Sequence, residues 1–181
     1  ALAVNALYSN TSGSNNTALG REALFANTTG GSNVAVGFQA GYANTTGYSN
    51  TAVGSSALDA NITGVQNVAI GYDALGLNTT NNNTAVGSYA LRVNTSGTAN
   101  AAFGYASLDA NTTGVNNTAV GSDSLTASTT GGANTAVGVN ALGANTTGGQ
   151  NVALGSSAGA SLTTGTYNVL IGYNVQAAAV G

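Results

Sequence analysis

One spacing governs this chain. A glycine closes a short "TAVG"-like box at Gly20, Gly37, Gly54, Gly71, Gly87, Gly104, Gly121, Gly138, Gly155 and Gly172, and successive glycines lie 17 residues apart, except for 16 between Gly71 and Gly87. The shorter interval holds "NTTNNNTAVG", where the turn glycine and its neighbours have shrunk by one residue. At the N-terminus "ALAVNAL" fits the same frame with Ala3 in the glycine position, so the chain starts inside a repeat and reads as a piece of something longer. A period this short makes each repeat a unit that cannot bury its apolar side alone and must stack on its neighbours.

The consensus coil is N-[TV]-A-[VLIF]-G-x-x-A-L-x-x-N-T-T-G-x-x. Two short apolar stretches alternate with two polar, glycine-containing turns. Stretches of three to five residues are too short for helices. The expected fold is therefore all-β: a parallel β-solenoid of about ten 17-residue coils, each β segment pairing with its equivalents above and below. At about 4.8 Å per strand step the rod would be roughly 50 Å long. The repeat occupies residues 1–172. Residues 173–181 are expected to be a C-terminal cap or transition segment, because "NVLIGYNVQAAAVG" drops the alanine rule at Leu170 and the repeat ends there. Such a cap would cover unpaired backbone at an open end.

Three files of like residues should run along the rod. The first is the asparagine opening each box: Asn16, Asn33, Asn50, Asn67, Asn83, Asn100, Asn117, Asn134, Asn151 and Asn168. Its amide both donates and accepts, so stacked copies can bond to one another along the axis, and asparagine tolerates left-handed backbone geometry. The second is the small residue two places on, alanine from Ala18 to Ala153 and broken at Leu170. The third is the bulky neighbour: Leu19, Val36, Val53, Ile70, Val86, Phe103, Val120, Val137, Leu154 and Ile171. Adjacent residues on a strand face opposite ways, so one file points inward and the other outward. "Ala-Leu" at Ala57-Leu58, Ala74-Leu75, Ala90-Leu91 and Ala141-Leu142 repeats the pattern. Either Leu and Val fill a narrow core while Ala spaces the outer surface, or an apolar face is buried against other copies. A long exposed apolar strip is uncommon on a soluble monomer, which favours self-association.

Composition narrows the function. Charged residues are 4% of the chain against about 25% in an ordinary domain, and two arginines cannot form the basic stripe that nucleic-acid binding needs. No apolar run approaches the roughly 18 residues of a membrane span. Histidine and cysteine are absent, so no zinc site, disulfide framework or histidine-activated serine is expected. Asp59 and Asp109 share one position in their coils, while Glu22, Asp73 and Asp123 share another. Each is three coils from its equivalent, and no carboxylate has a same-position carboxylate in the adjacent coil. That spacing avoids like-charge stacking. No catalytic, cofactor-binding or metal-ligating residue is assigned, and the chain is not expected to be an enzyme.

Two polar features remain. Asn10, Asn27, Asn44, Asn61, Asn78, Asn94, Asn111 and Asn145 open Asn-x-Thr/Ser triplets and are candidate N-glycosylation acceptors. Turn closure by side-chain bonds is the favoured reading, because Ser128 and Leu162 replace the asparagine without disturbing the register. The Thr-Thr pairs, such as Thr28-Thr29 and Thr112-Thr113, would stack as hydroxyl files. Among the aromatics, Phe25, Tyr42 and Tyr48 are candidates for a local patch suited to sugar or protein contact.

"NVAVG", "NVAIG" and "NTAVG" resemble the head repeats of YadA-like trimeric autotransporter adhesins, and "NTTGxxNTAVGxxAL" is similar to repeats of phage tail fibres and bacterial surface fibres. The resemblance implies a left-handed parallel β-roll, assembly as a homotrimer or filament, an extracellular, cell-surface or virion location, and a host-surface glycan or protein receptor. The functional expectation is a structural and adhesive fibre segment. The alternative is a monomeric ice-binding or glycan-binding solenoid that uses its threonine rows.

Overall fold

The computed structural model describes residues 3–177. Ten three-residue strands, β1 (Thr17–Leu19), β2 (Val34–Val36), β3 (Thr51–Val53), β4 (Val68–Ile70), β5 (Thr84–Val86), β6 (Ala101–Phe103), β7 (Thr118–Val120), β8 (Thr135–Val137), β9 (Val152–Leu154) and β10 (Val169–Ile171), form one parallel sheet in sequence order. Alanine pairs with alanine and bulky residue with bulky residue at each step, as in Ala52 opposite Ala69 and Val53 opposite Ile70. The register survives the 16-residue coil, where Val68 meets Thr84. The molecule is a β-solenoid of about nine turns. Each coil holds one strand rather than two. The second apolar stretch takes a tight corner, although its backbone still bonds to the next coil, as Leu24 N does to Ala40 O at 3.0 Å.

The inward file is alanine. Ala35, Ala69, Ala85, Ala102, Ala119, Ala136 and Ala153 are wholly buried, while the bulky strand residues beside them face outward. A narrow cross-section explains the choice. Across the coil the leucines Leu58, Leu75, Leu91, Leu108, Leu125 and Leu142 are also buried, and one leucine with two alanines per coil fills the space. The Ala-Leu pairs do not alternate faces: Ala57 and Leu58 are both buried. Leucine adopts left-handed φ there, between 50° and 55°, which turns two consecutive side chains inward at a conformational cost of about 1–2 kcal/mol per residue.

Both asparagine files are buried and bonded along the axis. In the box file, Asn16 Oδ1 accepts from Asn33 N at 2.9 Å, and the pattern continues to Asn168. In the Asn-Thr-Thr file, Asn27 Nδ2 donates to Asn10 Oδ1, and Asn44 Nδ2 to Asn27 Oδ1, each at 2.8 Å. The two files meet at the turn glycine. Gly47 O accepts from Asn33 Nδ2 at 2.9 Å and from Asn44 Nδ2 at 3.0 Å. In the short coil, Thr80 O takes the place of that glycine carbonyl, accepting from Asn67 and Asn78. The left-handed residue is the one before the box asparagine, such as Ser49 or Gln66, and not the asparagine itself.

The glycines serve close approach more than turn formation. Gly30, Gly47 and Gly114 have no left-handed φ, yet a Cβ on any of them would run into a carbonyl of the next coil and an asparagine amide. At the C-terminus the described residues keep the coil's path. Asn174 N donates to Ser156 O, Gly159 N donates to Val175 O, and Gln176 bonds Ser161. These bonds follow the path of the preceding coils through Ala177, and the rest of the expected cap or transition segment, residues 178–181, lies outside the described part.

Replacing Asn44 by alanine would leave Asn27 Oδ1 buried without a donor and Asn61 Nδ2 short of an acceptor. Asn44→Ala is expected to cost about 2–4 kcal/mol in urea unfolding, against at most about 0.5 kcal/mol for Thr46→Ala on the exposed side of the same turn.

Candidate functional site

Every strand places its first and third side chains outside. The result is a flat face carrying two parallel files, one of Thr, Val and Ala and the other of Val, Leu, Ile and Phe. Ile70 is 39% exposed, Phe103 41% and Leu154 47%. Over nine strand steps at about 4.8 Å the strip runs roughly 43 Å without a charged residue.

Chemical variety is concentrated at one corner, at the first, second and fifth residues after each box glycine or its counterpart Ala3. All seven charged residues of the chain lie there, as do eight of its eleven aromatics. The fifth position forms a file. Tyr8, Phe25 and Tyr42 stack face to face, with ring centroids 5.2 Å apart at each step. Tyr48 sits on another side of the coil and does not join them, so the Phe25–Tyr42–Tyr48 patch is replaced by a Tyr8–Phe25–Tyr42 stack. Farther along, Tyr89 packs edge-on against Tyr72 and Tyr105 at 5.3 and 5.9 Å. Arg92 lies 5.2 Å over the Tyr89 ring and grips Asp109 through two bonds of 2.9 and 3.1 Å.

No two carboxylates share a position in adjacent coils, yet two at different positions, Asp59 and Asp73, act on each other here. Gly76 occupies the fifth position between Asp59 and Arg92, and a Cβ on it would overlap Asp73 Oδ1. Asp73, from the second position, places its Oδ1 against Gly76, and its charge reaches Asp59 in the preceding coil. Burial, and then the charge of Asp73, push the Asp59 carboxyl above its ordinary 3.8, and its Oδ1 is buried without a partner. Burial also raises Asp73; Arg92 opposes that rise and Asp109 adds to it. At the other end of the corner Glu22 is lowered, first by the Gln39 amide at 2.9 Å and then by Arg21 at 3.1 Å.

The asparagines proposed as glycan acceptors are placed against that role. Asn27, Asn44, Asn61, Asn78, Asn94, Asn111 and Asn145 are buried, and Nδ2 of all but Asn145 is engaged in the core; Asn10 is half-buried. The folded coil leaves these amides no room for a sugar. The first threonine of each pair is also committed: Thr28, Thr45, Thr112, Thr129 and Thr146 donate Oγ1 to a carbonyl of the next coil at 3.0–3.1 Å. Ser124 is buried and donates to Gly121 O, while Ser122 donates to Asp123. Among the described residues no three His, Cys, Asp or Glu side chains gather to hold a metal ion, and no helix is long and apolar enough to cross a membrane.

Sequence reasoning missed the coupling of Asp59 to Asp73 because the two residues hold different positions in the repeat. The signal was Gly76, a glycine where the other coils mostly carry a side chain. No family model, curated protein or solved structure matches the chain.

Both raised carboxyls hold protons to higher pH in the folded chain than in the unfolded one. The native state therefore binds more protons just above pH 3.8 and loses stability as pH rises through that window. Asp59→Asn removes the repulsion while keeping the shape. Its thermal midpoint at pH 7 is expected to exceed the parent's by about 1–3 °C, with the gap closing below pH 3.8. An equal gap at both pH values would rule out the electrostatic cause.

Proposed function

We propose that this chain is a structural and adhesive segment of an extracellular or virion fibre, a stiff rod that self-associates through the outer face of its sheet and displays its variable corner for attachment. The observation that carries this reading is the uncharged strip along all ten strands, with Ile70, Phe103 and Leu154 among its partly exposed side chains. Removing such a strip from water is favourable at about 25 cal/mol per Å² of apolar surface, so a second copy with the same strip is a natural cover.

The rest of the coil supports a division of labour. Positions that build the solenoid repeat the same residue, while the corner carries tyrosines, aspartates and arginines that differ from coil to coil. A corner of that chemistry suits recognition of a receptor, either a surface glycan or a protein. Placement on a cell surface or virion rests on the resemblance to adhesin heads and tail-fibre repeats, as does the choice of homotrimer or filament. The threonine-row alternative draws less support, because the hydroxyls of the first row are spent on carbonyls of the next coil.

Light scattering coupled to size exclusion is expected to give trimers or larger assemblies. Ile70→Glu and Val120→Glu, three coils apart on the outer face, are expected to weaken assembly by more than about tenfold in Kd while leaving the circular dichroism spectrum unchanged. A parent chain that stays monomeric at high concentration would overturn the fibre reading.

A further inference from the structure

The Asn-Thr-Thr file is interrupted at Ser128, and the hydrogen bonds around that residue do not close. Asn27, Asn44, Asn61, Asn94 and Asn111 each donate twice through the amide, while Asn78 donates only to Thr80 O and leaves Asn61 Oδ1 unpaired. Asn111 Nδ2, for example, donates to Asn94 Oδ1 at 2.8 Å and to Gly114 O at 3.1 Å. At Ser128 the carboxamide is gone, and its two acceptors lack their donor. Asn111 Oδ1 is buried with no partner. Gly131 O accepts one asparagine, Asn117 at 2.8 Å, where Gly30, Gly47, Gly64, Gly97 and Gly114 each accept two. The Ser128 hydroxyl and both polar atoms of the Asn145 amide, in the next coil, are likewise buried and unpaired.

We infer that one water molecule is built into the solenoid core at Ser128, donating to Asn111 Oδ1 and Gly131 O and bonded in turn to the Ser128 hydroxyl and the Asn145 amide. Serine is two heavy atoms shorter than asparagine, and a buried water needs about that room and two to four polar partners. The partners also select the guest. Asn111 Oδ1 needs a donor, Gly131 O has room for a second one beside Asn117, and the Ser128 hydroxyl can donate or accept. An anion would face two carbonyl oxygens. Water donates and accepts, and it reproduces the double donation of the missing amide. This tolerance explains how a serine enters the file without disturbing the sheet, in which Thr118 still pairs with Thr135.

An atomic-resolution crystal structure of the full chain tests the assignment, together with thermal unfolding of Ser128→Asn. The expected result is one density peak within hydrogen-bond distance of Asn111 Oδ1, Ser128 Oγ and Gly131 O. In Ser128→Asn the peak is replaced by the new amide, and the midpoint rises by about 2–4 °C. A core with no peak, in which Asn111 Oδ1 and Gly131 O find protein donors, would overturn it. So would a peak surrounded by oxygens alone at metal-like distances, which marks a monovalent cation. Should Ser128→Asn fail to fold, the parent structure alone decides.

Discussion

The turn-glycine carbonyl that accepts two buried amides is the bond on which this solenoid depends. At Gly30, Gly47, Gly64, Gly97 and Gly114 one amide comes from the box file and the other from the Asn-Thr-Thr file, so the two sides of each coil are fastened at one atom. In a core holding little more than one leucine and two alanines per coil, hydrophobic burial is thin. Buried polar groups must then be fully paired, since each one left without a partner costs about 1–3 kcal/mol. The asparagines are accordingly interior residues, as buried as the leucines.

That fastening fixes much else. The coils approach so closely that a Cβ on the turn or box glycine would strike the backbone of the next coil. Leucine accepts a left-handed φ because it must reach the inward alanine from a corner. Where the pattern lapses, the chain substitutes atom for atom. Thr80 O stands in for a glycine carbonyl in the 16-residue coil, and Ser107 and Ser124 stand in for buried alanines by bonding Gly104 O and Gly121 O.

A coil so constrained has two places left to carry function. The outer sheet face is uncharged along all ten strands and carries a continuous file of Val, Leu, Ile and Phe, which suits association with another copy. The corner after each strand is free to vary, and it gathers every charge in the chain. The proposed fibre role assigns assembly to the first and attachment to the second. The Asp59–Asp73 pair shows that the corner tolerates local electrostatic cost, as recognition surfaces often do.

The sequence by itself determined the period, the parallel in-register stack and the identity of the files, because a 17-residue repeat of short apolar stretches has few other ways to bury itself. It left undecided whether Ala35 or Val36 faces inward, since adjacent apolar residues on a strand carry no sign of direction. Only the tertiary structure chose alanine, through the narrow space opposite Leu58 and its equivalents. The tertiary structure likewise turned Asn27 and Asn44 from candidate glycan acceptors into core residues, and coupled the charge of Asp73 to Asp59 in the preceding coil. In each case the outcome depends on how close one coil lies to the next, a distance set by packing in three dimensions and absent from the order of residues along the chain.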